Sequence, residues 1–450
     1  MPLIRKRSPK LRFQFVPARK QSTLGGLPAL EGLAQQFDLW KKLRALPGLD
    51  PRTRTSHGYS PELLVAQLLY SFCSGGASLA DAERLNDEPL VRQLARVERF
   101  ADQTQLGQWL RKQSDTSIAA MWGLIAQFIE WVLEQVEPGR WLYAGRAEVF
   151  FDDTEIEVHG PSFEGARINY KGELALSWQT LWFGPFLLEG ELGSPGEVSS
   201  ALPGFLARHR KFWAERPSDF LADSASSSAG YLQTIDQAGF THWSVSYNKW
   251  TSVPERAAAA LPASAWSEES KTRWRDGTQV SEQHAGLRHT PEGSPFTFTL
   301  AVARWKKNDE LFWRYGFVAH EGRRHDAAAV MARHRLKGGK EQLFKEVLRG
   351  LDLHHPPCES LVANRMFYAI GALAYNLMKA VQLLCLPEEC QSWTVPTLLR
   401  QMVRLPAMLV RHARRLVVRV EVAVSWLNWW QAWEKRWWNG GGALAAAASG

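Results

Sequence analysis

Cysteine is scarce in this chain. It has four in 450 residues: Cys73, Cys358, Cys385 and Cys390. No C-x-x-C pair occurs, and Cys385 and Cys390 have no matching pair of histidines, so the pattern does not indicate a zinc site. Four thiols in so long a chain make no disulfide framework, which points to a reducing cytosol. One-sided charge is also nearly lacking: Lys+Arg total 54 against 46 Asp+Glu, a net +8 that is small for the length and favours an anionic partner only weakly. Long uninterrupted apolar runs are missing. The most membrane-like stretch, residues 117–136, is broken by Gln127, Glu130 and Glu134 and reads as a buried or amphipathic helix, not a span. The basic start MPLIRKRSPKLRF has no apolar core behind it and is not a secretory signal. The expectation is a soluble intracellular protein, and no long internal repeat is visible. What is present is an ordinary globular mixture, 45% hydrophobic and 22% charged, which excludes a disordered or collagen-like chain. The unusual count is tryptophan, at 21.

Arg5, Lys6, Arg7, Lys10, Arg12, Arg19 and Lys20 make a basic, pattern-poor arm over residues 1–27, either a solvated tail or a phosphate-contacting segment. Residues 28–140 read as helices. Pro61 opens ELLVAQLLYSFCSG, and SIAAMWGLIAQFIEWVLEQV is closed by Pro138 and Gly139. Several short helices with small connections make an all-α domain, a type that often binds DNA.

The texture changes at Trp141. AEVFFDDTEIEVHG alternates and is rich in Val, Ile and Phe, a strand; LALSWQTLWFG and PFLLEGELG are two more, joined at Gly184-Pro185. A helix over 199–213, a strand in DFLADS, a helix in SAGYLQTIDQAGF and a strand in HWSVSYN follow. The order β-β-β-α-β-α-β predicts a mixed α/β sheet with helices on its faces. Residues 251–325 break this order with SPFTFTLAVARWKK and ELFWRYGFVAHEG, strands around a turn at Asn308-Asp309, and read as a β-rich insertion. Asp326 caps a helix, a second helical run starts at Lys340, and NRMFYAIGALAYNLMKAVQLLC is a strongly apolar helix. LPAMLVRHARRLVVRV is strand or helix, the Trp-dense WLNWWQAWEKRWW follows, and residues 440–450 are low-complexity and read as disordered.

Three acids stand out by position. Asp152, with Asp153 beside it, lies in a strand that otherwise reads as core; Asp223 ends the strand FLAD; Glu341 is on the helix after the insertion. Carboxylates at strand ends, outside the sheet, are where α/β folds place their chemistry. Three that converge can hold two Mg²⁺ ions about 3.5–4 Å apart, since Mg²⁺ favours hard oxygen ligands. Each acid alone is equally a capping residue or a solvated charge.

These segments resemble the DDE transposases of bacterial insertion sequences. FFDDTEIEVHG is similar to the family's D-x-D-x-T strand, with Thr154 and Gly160 at its spacing; this places the first catalytic Asp at Asp152 and leaves Phe150 where the family has an earlier Asp. FLADSASSSAGYLQTIDQAGF resembles the second-aspartate segment, at Asp223. HRLKGGKEQLFKEVLRGL resembles the Y-x2-R-x3-E-x6-K signature, with Glu341 at the Glu, Lys337 at the Arg, His334 at the Tyr and Leu348 at the final Lys, whose charge Lys345 or Arg349 can supply. VANRMFYAIGALAYNLMK and LPAMLVRHARRLVVRV are similar to the helix and C-terminal segment that follow the Glu in that family.

The resemblance covers about residues 55–420. It implies a ribonuclease-H-like core in two parts, 141–250 and 326–385, with the β-rich insertion at 251–325 filling the long gap between Asp223 and Glu341. Residues 28–140 then form a helical DNA-binding domain and 386–439 a basic, Trp-rich C-terminal region. It implies a cut-and-paste enzyme that needs two Mg²⁺ ions (Mn²⁺ substituting), held by Asp152, Asp223 and Glu341. Its partners would be terminal inverted repeats and target DNA, engaged as a homodimer and associated with the nucleoid. A degraded DNA-binding descendant and a nuclease of the same fold are the alternatives.

Lys337, Glu341 and Lys345 stand at i, i+4 and i+8 and predict one helix face, either a salt-bridged surface or a phosphate grip to which His334 adds. Arg400, Arg404, Arg411, Arg414, Arg415 and Arg419 make a basic stretch. Trp305 and Trp313 in the insertion are either core or, as in related transposases, platforms for a flipped base. The C-terminal tryptophans are expected to pack onto the domain or a partner chain.

Overall fold

In this computed structural model the described residues are 20–438, apart from 55–57, 197–198, 248–251, 274–276, 308–309, 324–325 and 413–414. Most of the basic arm, the Asn308-Asp309 turn, Arg414 and the 440–450 tail therefore lie outside the described residues, as do the side chains of Glu341 and Arg415.

Some of the N-terminal helices begin where a short polar residue takes up a free amide of the first turn, and others where proline opens it. Seven helices run α1 (Pro28–Gln36), α2 (Leu39–Arg44), α3 (Pro61–Cys73), α4 (Leu79–Arg84), α5 (Pro89–Ala95), α6 (Gln103–Arg111) and α7 (Asp115–Leu133). Proline sits in the first turn of α1, α3 and α5, where its missing N–H costs nothing. Ser78, Asp102 and Ser114 close capping boxes on α4, α6 and α7, each contributing about 1 kcal/mol. Residues 20–27, expected within a flexible arm, are instead ordered. Gln21–Ser22 form strand β1, and Leu24 and Leu27 are buried.

The central sheet contains β2 (Ala147–Glu157), β3 (Arg167–Ile168), β4 (Leu174–Phe183), β5 (Phe186–Gly193), β6 (Ser218–Ala222), β7 (His242–Ser246), β8 (Ser270–Arg273), β9 (Gln279–His289), β10 (Phe298–Lys307) and β11 (Arg314–His320). Its order is β3-β4-β2-β6-β7-β11-β10-β9-β8, with β5 also on β4. The pairs β2–β6 and β6–β7 are parallel and the others antiparallel. The sheet is thus mixed, and the fold is the expected α/β arrangement. The insertion strands join it through β11, which pairs with β7 at Val318↔Ser246, Ala319↔Val245 and His320↔Ser244. Strand β9 in QVSEQHAGLRH is not foreseen by the sequence reading, because its polar residues mask the alternation.

Between and after the strands lie α8 (Leu202–His209), α9 (Lys211–Ala214), α10 (Ala229–Gln237), α11 (Val253–Ala259), α12 (Ala327–Arg335), α13 (Glu341–Gly350), α14 (Leu361–Leu384), α15 (Val395–Leu398) and α16 (Leu427–Trp437). The helix expected over 199–213 is broken between α8 and α9. The apolar helix α14 is buried almost end to end and packs on α3, α7 and β5, so the helical segment and the sheet share one continuous core. Asn376 on α14 bonds both backbone groups of Leu187 on β5, at 3.0 and 2.8 Å, satisfying polar atoms inside that core.

The ambiguous C-terminal segment is a hairpin. Strands β12 (Ala407–His412) and β13 (Arg415–Val420) pair with each other, and β12 also takes β1. The tryptophan run packs inward: Trp433 and Trp437 are buried and α16 lies on α1, while Trp429 Nε1 donates to the Cys385 carbonyl at 2.7 Å.

Candidate active site

The first strand of the site, β2, is apolar from Val149 to Phe151 and turns half-exposed at Asp152. Strand alternation places Glu148, Phe150 and Asp152 on one face and Val149, Phe151 and Asp153 on the other. The first face is covered by α12 and α13. The Phe344 ring of α13 meets Phe150 at 5.9 Å and Trp182 at 5.1 Å between centroids, both edge-on. On the opposite face Phe151 packs against Phe205 of α8. Asp152 therefore shares its face with the helix that begins at Glu341, and Asp153 does not.

Strand β6 runs parallel beside β2, with Phe151 paired to Ala222, so the residues that follow each, Asp152 and Asp223, emerge side by side. Asp223 caps the short turn Ser224–Ser226, its Oδ1 accepting from the Ala225 amide at 3.0 Å. Burial pushes the Asp152 carboxyl up to about 6; the Lys337 ammonium opposes this, and the Asp223 carboxylate adds to it. Burial likewise pushes Asp153 up to about 6, opposed by a hydrogen bond from the Ser177 hydroxyl and assisted by the charge of Asp223. A cleft of about 560 Å³ opens above Asp153 and Asp223.

Glu341 opens α13, three residues before Phe344. The single-face alignment of Lys337, Glu341 and Lys345 does not hold. Residues Leu336–Lys340 form a 3₁₀ segment, because Gly338 and Gly339 weaken a helix at that point, and α13 starts afresh at Glu341. Lys337 is half-buried near Asp152, and Lys345 is exposed one turn past Glu341.

His334, expected at the DNA, is buried on α12. Its Nδ1 lies 2.9 Å from Ser244 Oγ and its Nε2 2.8 Å from Ser246 Oγ. Burial, then the Lys337 and Arg333 cations, lower it to about 4, so the ring is neutral near pH 7 and both nitrogens are engaged with β7. This corrects the expectation: in this structure His334 docks α12 on the sheet and presents no nitrogen to DNA.

A buried ion cluster beneath the acids is absent from the sequence reading. Arg333 donates to Glu148 at 2.8 Å and to Asp219 at 3.0 Å; Lys340 also bonds Glu148, and Arg146 reaches Asp219 at 3.3 Å. The cluster ties α12 and the segment before Glu341 to β2 and β6. Its signal in the sequence is a lone acid in each of two apolar strands, Glu148 in AEVFF and Asp219 in SDFLA. In the insertion, Trp305 packs beside the small cluster around Val318 and Val330, and Trp313 carries Arg304 and Lys306 over its ring at 4.7 and 4.9 Å.

The family described as Transposase DDE domain group 1 matches residues 5–431. The chain belongs to this family. No curated protein matches it. Membership makes this protein a transposase acting on DNA, of a family that generally depends on divalent metal. The donor set fits such an ion: Asp152 and Asp223 both offer hard oxygen donors, and the Asp223 charge lies close enough to help raise the Asp152 carboxyl, a repulsion that a cation relieves.

Proposed function

We propose that this transposase has a ribonuclease-H-like core and moves its element by cutting and pasting. In this reading it binds terminal inverted repeats, cleaves the element ends and joins the 3′-hydroxyls to target DNA. The observation that carries the reading is the edge where Asp152 and Asp223 emerge from adjacent parallel strands beneath the helix that opens at Glu341. The strand order β5-β4-β2-β6-β7, with only its last two pairings parallel, is that expected of such a core.

Asp152, Asp223 and Glu341 would hold two Mg²⁺ ions, which supply Lewis-acid stabilisation of the reacting phosphate and an activated nucleophile, with Mn²⁺ able to substitute. Lys337 steadies the phosphate as a point charge beside Asp152, and Lys345 grips the flanking strand. The ion cluster of Glu148, Arg333 and Lys340 positions α13. Residues 28–140 read the element ends, and the basic arm and the exposed Arg411 and Arg419 add contacts to phosphates. Paired ends require at least a homodimer on DNA, and the setting is the cytoplasm, at the nucleoid.

The test is cleavage and joining of a DNA fragment carrying the inverted repeats that flank the gene, with Mg²⁺. Asp152→Ala, Asp223→Ala and Glu341→Ala should each abolish both reactions and leave end binding intact. Wild-type binding without cleavage would support a degraded DNA-binding descendant instead. Cleavage without joining would support a nuclease.

A further inference from the structure

The turn between α13 and α14 gathers metal-type ligands that the proposed chemistry does not use. Among the described residues, Asp352, His354 and His355 each place a donor atom within 4.8 Å of the other two. The turn is held from beneath. Leu353 is fully buried, and its carbonyl accepts from the Tyr368 hydroxyl of α14. Asn364 of α14 bonds both backbone groups of Cys358, at 3.1 and 2.6 Å. Asp352 takes the left-handed conformation, φ +55°, which Asp tolerates better than most residues. His355 is restricted by Pro356 behind it. These anchors leave the ligand side chains in reach of solvent: those of Asp352 and His354 are 40% and 44% exposed, and His355 is exposed.

The contacts of His354 fit a cation. Its Nδ1 donates to the Leu348 carbonyl at 2.8 Å and lies 3.0 Å from Asp352 Oδ1, so two oxygens already converge on one edge of the ring. The Leu348 carbonyl belongs to the last turn of α13, the helix end that attracts positive charge. The His355 ring stands 4.0 Å from that of His354, centroid to centroid. In the metal-free chain a proton on Nδ1 holds the two oxygens together; a divalent ion takes its place and releases that proton to solvent. Two imidazoles and one carboxylate favour a borderline ion such as Zn²⁺, whereas Mg²⁺ prefers oxygen alone. We infer that Asp352, His354 and His355 form a transition-metal site of the Zn²⁺ class, separate from the acidic edge. It pins the far end of α13, about 15 Å of helix from Glu341. The inference stands on these three side chains and not on the transposase reading.

The experiment titrates the full chain, first stripped by a chelator, with Zn²⁺ in excess Mg²⁺, followed by calorimetry and thermal melting. The wild type should bind Zn²⁺, release a proton and melt higher with the ion than without it. His355→Ala and Asp352→Asn should each weaken binding by more than about tenfold, since losing even a ligand's supporting partner costs that much. Without metal, His355→Ala should melt as wild type, because the side chain is exposed. Co²⁺ in place of Zn²⁺ should give a visible absorption band that His355→Ala lacks. The double variant Asp152→Ala, Asp223→Ala should keep the site. No Zn²⁺ uptake by the wild type, or wild-type affinity in His355→Ala, would overturn the inference and make this a solvated turn. Loss of binding in the double variant alone would place the ion at the acidic edge and overturn it too.

Discussion

Phe344 and Phe150 face each other edge-on, ring centroids 5.9 Å apart, and join the helix that begins at Glu341 to the strand that carries Asp152. Phe344 lies three residues after the one acid, and Phe150 two before the other. This contact in the core, with Phe344 on Trp182 beside it, helps to seat α13 on the strand that carries Asp152.

Phe344→Ala should remove that contact. We expect a loss of about 3–5 kcal/mol in stability, the usual cost of emptying a buried aromatic site, together with a fall in cleavage. Phe344→Leu should recover most of the stability. Chemical denaturation alongside paired-end cleavage checks this, and full activity in a destabilised Phe344→Ala would show that α13 is placed by other contacts.

The raised carboxyls give a pH dependence of definite sign. Asp152 and Asp153 stand at about 6, above the usual aspartate value near 3.9, so their protons are held more tightly in the folded chain. Their stabilising contribution to the metal-free protein is complete below about pH 4 and is lost as pH rises through about 6. Asp152→Asn should therefore raise the melting temperature at neutral pH, by an amount that shrinks on acidification. In wild type, Mg²⁺ affinity measured by calorimetry should fall as pH drops below about 6, because protons compete for the ligands. A pH-independent affinity would remove Asp152 from the ligand set.

Arg333 bridges two buried acids, Glu148 and Asp219, through separate nitrogens of its fork. Arg333→Met should leave both without this partner and cost about 3–5 kcal/mol. Arg333→Lys should rescue little, since a single ammonium does not reproduce the fork. Equilibrium unfolding of the two variants decides the point.

Lys337→Ala and Lys345→Ala should lower cleavage and joining while changing stability by less than about 1 kcal/mol, as expected of lysines with solvent access. Lys337→Arg should keep or raise activity. Wild-type cleavage by the double alanine variant would make this pair a solvated surface only.

Deleting residues 1–19 should weaken binding to all DNA and flatten its salt dependence by about 0.9 per lost phosphate contact, leaving the preference for element ends intact. The deletion stops there because β1 and the buried Leu24 and Leu27 belong to the fold. Loss of end preference at constant nonspecific affinity would place sequence reading in the arm.

Much of this site is legible in the sequence because it uses strong local signals. An acid pair in an apolar strand, an Asp before small residues and a Glu opening a helical run are each visible without coordinates, and Asp152 and Asp223 end adjacent parallel strands. The N-cap at Asp326 is also where the pattern puts it, with Oδ1 accepting from Ala328 and Ala329. What is not legible depends on partners far away in the chain. Whether His334 faces DNA or β7 is decided by Ser244 and Ser246, about ninety residues earlier. The cluster around Glu148 draws on β2, β6, α12 and the segment before Glu341, and no local pattern assembles it. The 3₁₀ segment at Leu336–Lys340 is a case in between: the two glycines are plain, but the offset they impose on Lys337 is not.

The insertion strands are hydrogen-bonded edge-on to β7, which lies beside β6, the strand ending at Asp223. Among the described residues the insertion is thus tied to the strand that ends at Asp223 through backbone hydrogen bonds by way of β7, so a displacement of the one is passed to the other along the sheet.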